Sequence, residues 1–123
     1  MAKDSRKNEI WRGEVWLVDR DPVIGSEQGG RRPVLVIQND IANEYSPVVT
    51  VVSIHGHDGG KRYPTDVLIK KGEGGTTKDS VALVNQIRTI SKKRLIKCYG
   101  TVSDATIKQI EEAVKIHLGF INL

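Results

Sequence analysis

Residues Gly25–Asn39 read GSEQGGRRPVLVIQN and join a polar, glycine-rich loop to a short apolar strand. Glycine lets the backbone approach a ligand closely and adopt positive φ without steric cost. Arg32 stands where loop and strand meet, and Pro33 favours an extended backbone before it. A guanidinium in this position favours anion recognition and phosphoryl chemistry, although a solvated strand entry has the same pattern. A P-loop is excluded, because the loop lacks the lysine with serine or threonine and a strand follows it.

Six short strands are predicted along the chain. Runs rich in β-branched residues, separated by glycine, proline and charged residues, indicate strands. The runs cover residues 13–19, 34–37, 48–54, 65–69, 80–90 and 96–102. In the fifth run, alternation predicts that one face carries Val81, Leu83, Asn85, Ile87 and Thr89. Single helical turns are expected after Asn39 and Ser91.

One longer helix closes the chain. Ser103 is a typical helix-capping residue, and Gly119 is a typical stop. Apolar residues recur between them at helical spacing and form one face, made of Ile107, Ile110, Val114 and Leu118. We therefore expect a mainly β (α+β) fold, with a small, strongly curved antiparallel sheet and a C-terminal α-helix.

The 123 residues are enough for one domain, and the chain carries 19 basic and 15 acidic side chains. Residues 1–11 predict a flexible, charged N-terminal tail, and residues 12–123 a single domain. The segment 61–97 holds ten basic residues against three acidic ones. Clustered basic charge is typical of a surface that binds a polyanion, nucleic acid above all; a solvated lysine-rich surface is the alternative.

Cysteine content and hydropathy indicate the compartment. Cys98 is the only cysteine, so the chain forms no internal disulfide, as is usual in a reducing environment. No apolar run approaches the ~20 residues that cross a bilayer, and the first residues lack the apolar core of a signal peptide. We expect a cytoplasmic protein with no membrane segment.

Four stretches, in this order, resemble the MazF/PemK toxin family, the RNA-cleaving halves of bacterial toxin–antitoxin pairs. They are Arg12–Trp16, Gly25–Asn39, Lys78–Ile90 and the helix that ends in His117-Leu118-Gly119. The resemblance covers roughly residues 12 to 121. It implies an SH3-like barrel, a homodimer, and an antitoxin partner whose acidic, disordered tail occupies the RNA groove. It also implies a sequence-specific endoribonuclease that needs no metal or other cofactor and cleaves single-stranded mRNA to a 2′,3′-cyclic phosphate and a 5′-hydroxyl.

The resemblance assigns catalytic residues at two positions. Arg32 matches the family's catalytic arginine, and a cation there stabilises negative charge on the phosphoryl oxygens. With a pKa above ~12 an arginine is a poor general base. His55 stands where one branch of the family has threonine, and imidazole is the commonest proton-transfer group near neutral pH. Ser53, two residues earlier on the same strand face, is the alternative with a hydroxyl.

The loop and the second motif supply candidate RNA-binding residues, since unstacked bases are read by hydrogen-bonding side chains. The set is Ser26, Glu27, Gln28, Gly29, Gly30, Ser80, Asn85, Gln86 and Arg88. Family members often carry glutamate where Asn85 stands, which bears on the base preferred at that subsite. A strand surface that faces water is the alternative for these polar residues. Lys61, Lys70, Lys71 and Lys78 are interpreted as steering the RNA backbone rather than as reading sequence.

Other functions are weaker fits to the same residues. The pair His55 and His57 in a glycine-rich loop is poor evidence for a metal, and no metal site is expected. A CcdB-like protein, which has the same barrel, binds DNA gyrase and cleaves nothing, is the main alternative. A catalytically inactive RNA-binding module is another. Arg32 and the two long motifs favour the ribonuclease.

Overall fold

The computed structural model describes residues 9–19, 30–60 and 62–122. Its strands are β1 (Glu14–Asp19), β2 (Arg31–Val36), β3 (Val48–Gly56), β4 (Asp66–Ile69), β5 (Ser80–Ser91) and β6 (Leu95–Thr101). Its helices are α1 (Asp40–Tyr45) and α2 (Asp104–His117), with 3-10 turns at Glu73–Gly75 and Lys92–Arg94. The six predicted strands and the terminal helix are confirmed. β2 begins at Arg31 rather than Val34, so Arg32 lies within a strand and its backbone direction is set by the sheet.

The strands form one antiparallel sheet in the order β4-β5-β3-β2-β1-β6. Within the described residues the sheet is open, with β4 and β6 at its edges. Register shifts interrupt the β1–β6 and β3–β5 pairs. Such bulges bend strands and increase their twist, which suits the strongly curved sheet that was predicted.

Both faces of the central strands are covered. On one face, Leu35 and Val52 pack with Ile110 of α2, and all three are fully buried. On the other face, Val36 and Val51 belong to a second apolar cluster. This explains the apolar run of Val34, Leu35 and Val36 in β2, because this part of the strand is buried on both faces, whereas Arg31 and Arg32 at its start are exposed.

The predicted alternation along β5 is wrong, because a bulge interrupts the strand. Val52 lies opposite Ile87, but the next residue, Ser53, lies opposite Leu83. Residues 84–86 are thus extra to the ladder. Val84 turns into the core, while Asn85 and Gln86 are exposed.

The packed part of the chain reaches back into the predicted tail. Ile10 and Trp11 are only 5% and 4% exposed, so any flexible tail ends before them. The remainder of the tail, residues 1–8, lies outside the described residues. At the other end, Leu118 is 51% exposed instead of buried, because α2 ends at His117 and the chain turns at Gly119. No helix in the described ranges is long and apolar enough to span a membrane.

Candidate active site

Arg32 and His55 lie on neighbouring strands at the same level of the sheet. The β2–β3 ladder pairs Val34 with Ser53, and two residues further along each strand are Arg32 and His55. Because side chains alternate along a strand, these four residues share one face. Arg32 and His55 are both exposed, and both line two adjoining clefts.

The two clefts meet at Arg32, Pro33, Ile54 and His55, which line both of them. The larger cleft has a volume of about 570 Å³ and is continued by His57, Thr76, Thr77, Lys78, Ser80 and Tyr99. The smaller cleft has a volume of about 160 Å³ and is continued by Asp19, Ser53, Gln86 and Arg88. The larger volume is in the range of clefts that hold small organic ligands.

The two consecutive arginines have different surroundings. Arg31 Nε lies 3.5 Å from Asp19 Oδ1, in an exposed ion pair of the kind that contributes little to stability. No carboxylate of the described residues lies within 4.0 Å of the Arg32 guanidinium, which leaves its charge available to a bound anion. This difference follows from side-chain alternation along β2, which turns the two arginines to opposite faces.

The predicted RNA-binding residues differ in where they lie relative to the two clefts. Gln86 and Arg88 line the smaller cleft, while Asn85 is exposed but lines neither cleft. Ser80 is 5% exposed at the larger cleft, and its hydroxyl donates a hydrogen bond to the carbonyl of Lys78 at 3.0 Å. Gly30 is exposed, with φ of 132°. The other four predicted residues, Ser26, Glu27, Gln28 and Gly29, lie outside the described residues.

The residues that follow β2 have a structural role that sequence reasoning missed. The buried Asn43 donates hydrogen bonds to the Gln38 carbonyl and to Asp40 Oδ1, and its own Oδ1 accepts one from Gln38 Nε2. Asp40 Oδ1 also accepts from the backbone N–H of Arg12 at 2.7 Å. Asn39 caps α1 as predicted. This network fastens the end of β2 to α1 and to the residues before β1.

The loop between β4 and β5 forms one wall of the larger cleft and is held by Glu73. Glu73 Oε1 accepts hydrogen bonds from the backbone N–H and the hydroxyl of Ser103, at 2.8 and 2.9 Å, and from the Thr106 hydroxyl. Burial alone would raise the pKa of Glu73, but these hydrogen bonds and the charge of Lys70 outweigh it, and the pKa is lowered. No periodic pattern in the sequence predicts this contact between Glu73 and the start of α2.

Tyr99 and Cys98 are neighbours on β6 with different surroundings. Tyr99 lines the larger cleft and is half exposed, so its ring is available to stack on a base; sequence reasoning missed it. Burial raises the pKa of the Cys98 thiol, and the Glu14 carboxylate adds to the effect. The thiol is therefore protonated at neutral pH and is a weak nucleophile.

Comparison with known proteins shows the family of this chain. Residues 11–118 match the family described as PemK-like, MazF-like toxin of type II toxin-antitoxin system. The chain belongs to this family. It is 48% identical over 108 residues to the Endoribonuclease MazF of Staphylococcus saprophyticus, an alignment that covers 88% of this chain and 90% of that protein. The predicted family is confirmed, and so is the prediction of an endoribonuclease toxin of a toxin–antitoxin system.

Solved structures share the fold. One is an endoribonuclease in complex with its cognate antitoxin from Mycobacterial species, with a TM-score of 0.74 and 24% identity over 93% of this chain and 99% of that one. Another is a MazE-MazF structure (Form-II) from Deinococcus radiodurans, with a TM-score of 0.75 and 21% identity over 91% of this chain and 97% of that one. The predicted curved, antiparallel fold with a C-terminal helix is confirmed.

Proposed function

We propose that this toxin cleaves single-stranded mRNA at a short sequence, without a metal, to give a 2′,3′-cyclic phosphate and a 5′-hydroxyl. The observation that carries the proposal is the position of Arg32, a cation with no carboxylate partner among the described residues, where two clefts meet. A phosphate that spans this boundary has one nucleotide on each side. That is the arrangement which cleavage within a strand requires.

Arg32 acts as an electrostatic catalyst. In the reaction the 2′-oxygen loses its proton and attacks phosphorus, the bond from phosphorus to the 5′-oxygen breaks, and the departing oxygen takes up a proton. Negative charge grows on the non-bridging oxygens as the transition state forms. A guanidinium held there by β2 stabilises that charge without reorganising.

His55 transfers a proton in this reaction. It lies at the same cleft boundary as Arg32, on the neighbouring strand, so one phosphate is within reach of both side chains. Imidazole exchanges protons near neutral pH, which a threonine hydroxyl does not do. Ser53 lines the smaller cleft and is the alternative group.

The smaller cleft reads a base, and Gln86 and Arg88 supply its hydrogen-bonding groups. A side-chain amide offers both a donor and an acceptor, while a guanidinium offers donors only, so the pair discriminates between base edges. Ser26, Glu27, Gln28 and Gly29 extend this reading surface, together with Gly30 and Asn85, while Ser80 contributes from the larger cleft. Tyr99 in the larger cleft provides a stacking surface on the other side of the scissile phosphate.

We also propose the partners and setting that the resemblance implies. The single domain of residues 12–123, to which the packed Ile10 and Trp11 also belong, works in the cytoplasm and forms a homodimer. Its antitoxin carries an acidic, disordered segment, which complements the ten basic residues between 61 and 97. Binding there blocks the surface that steers RNA.

The test is cleavage of a long RNA by purified protein in EDTA, with mapping of the new ends and detection of the cyclic phosphate. We expect cleavage at one short sequence, and Arg32→Ala should abolish it. Arg31→Ala is the matched control, because it removes the same charge one residue away, and it should cleave normally. Cleavage that requires added metal, or that survives Arg32→Ala, would contradict the proposal. Inhibition of DNA gyrase without RNA cleavage would instead support the CcdB-like alternative.

A further inference from the structure

Lys78 lies directly over Gly56 at the edge of the larger cleft. A Cβ added to Gly56 would be 2.7 Å from Lys78 Cε and 2.8 Å from Lys78 Nζ, closer than such atoms can approach. The lysine therefore occupies the space that any other residue at position 56 would fill. Gly56 follows His55 at the end of β3, so the lysine lies against the strand that carries the proposed catalytic histidine, and both residues line the larger cleft.

Hydrogen bonds hold the backbone beside Lys78. The Asp79 side chain accepts a hydrogen bond from the Lys71 N–H, and the Asp79 backbone carbonyl accepts one from the His57 N–H, both at 2.9 Å. The Lys78 carbonyl accepts a hydrogen bond from the Ser80 hydroxyl. The start of the same loop is fixed to α2 by Glu73. Lys78 is thus presented by an ordered loop, which lowers the entropy lost when it binds a ligand.

The charge of Lys78 is available for a ligand. Across the described ranges, no carboxylate lies within 4.0 Å of its Nζ. Asp58 lines the same cleft, but its Oδ1 accepts the N–H of Gly60 at 2.9 Å. The cleft therefore carries two cations, Arg32 and Lys78, that no carboxylate of the described residues pairs.

We propose that Lys78 binds the RNA phosphate adjacent to the scissile one, so that the nucleotide between the two phosphates lies in the larger cleft. This inference rests on the proposed ribonuclease function and adds a defined second phosphate site to it. Holding a phosphate on each side of the nucleotide restricts the conformation of its ribose and aligns the backbone at the scissile phosphate. Lys78 therefore has a different role from Lys70 and Lys71. Those two lysines line neither cleft, and they only steer RNA.

The first test combines Lys78→Ala with RNA oligonucleotides that contain the mapped cleavage sequence. In each oligonucleotide one non-scissile phosphate is replaced by an uncharged methylphosphonate. We expect Lys78→Ala to raise KM about tenfold, the effect of losing one charge-assisted contact. One methylphosphonate, next to the scissile linkage, should cost the wild type the same factor and cost Lys78→Ala nothing.

Lys108→Ala is the matched control, because it removes the same charge from an exposed site on α2 that lines neither cleft. It should change KM less than about twofold and should remain sensitive to every methylphosphonate that affects the wild type. The proposal is wrong if Lys78→Ala behaves like Lys108→Ala, or if the loss caused by Lys78→Ala adds to the loss caused by every methylphosphonate. Failure of the wild type to cleave any RNA would overturn the ribonuclease function and this site with it.

The second test moves the lysine without changing the charge. Gly56→Ala is compatible with the backbone, because Gly56 is not among the positive-φ glycines, and the flexible end of Lys78 can shift. We expect Gly56→Ala to raise KM as Lys78→Ala does while leaving the melting temperature unchanged. The double variant should be no worse than Lys78→Ala alone. Additive losses would show that alanine at position 56 obstructs RNA directly, and would contradict the proposal.

Discussion

Glu73 and Ser103, thirty residues apart in the chain, are joined by two hydrogen bonds to a single carboxylate oxygen. Ser103 caps α2, with its hydroxyl accepting from the Thr106 N–H at 3.2 Å. Glu73 therefore connects the first turn of the C-terminal helix to the loop that lines the larger cleft. A contact that stabilises the fold also shapes the proposed RNA site.

Glu73→Ala should lower the free energy of unfolding by about 1–2 kcal/mol, because it removes hydrogen bonds to a charged group at a helix start. The folded-state pKa of Glu73 is lowered, so its contribution is present above the unfolded-state pKa of ~4.3. That contribution is lost as the pH falls through the lower, folded-state value. Urea unfolding at pH 7 and at pH 3 should show a difference between wild type and variant that shrinks in acid. Glu112→Ala, on the exposed side of α2, is the control and should have little effect at either pH.

His55→Ala should reduce kcat about 10²–10⁴-fold, the usual cost of losing a proton-transfer group. The pH–rate profile of the wild type should contain a limb that this variant lacks, and Arg32→Ala should keep that limb in any residual activity. Single-turnover rates on a short RNA between pH 5 and 9 provide the measurement. If Ser53→Ala lowers kcat by this factor and His55→Ala leaves both the rate and the profile unchanged, the hydroxyl is the catalytic group instead.

Gln86→Ala should relax the choice of base at one position of the cleavage sequence. Loss of one base contact costs about 1–3 kcal/mol, so discrimination should fall about tenfold or more. The readout is kcat/KM for a set of RNAs that differ at one base each. Gln109→Ala is the control, since Gln109 is an exposed glutamine on α2 that lines neither cleft. Equal loss of specificity in both variants would count against the smaller cleft as the reading site.

Asn43→Ala should lower the free energy of unfolding by about 1–3 kcal/mol, because it removes the three hydrogen bonds that this buried side chain makes with Gln38 and Asp40. Cleavage well below the melting temperature should be unchanged, since the network lies away from both clefts. Ile41→Ala, at an exposed position of the same short helix, is the control for stability. A large change in KM for Asn43→Ala would contradict a purely structural role.

Most of the fold follows from local patterns. β-Branched runs predicted all six strands, and capping residues with apolar spacing predicted α2 and the turn after Asn39. The bulge in β5 was not predictable, because the register of Val52 against Ile87 and of Ser53 against Leu83 depends on packing between strands distant in sequence. For this reason, alternation alone wrongly placed Asn85 on one face with Leu83 and Ile87, although it lies in the bulge between them.

The sequence by itself determined the elements, the family and the position of Arg32 beside a polar loop, because periodicity, capping and motifs act over a few residues. Only the tertiary structure decided which side chains share a cleft. It set Arg32 beside His55 through the pairing of β2 with β3 and laid Lys78 over Gly56. It also fastened Glu73 to the start of α2. These relationships arise from contacts between segments far apart in the chain, which local sequence patterns do not encode.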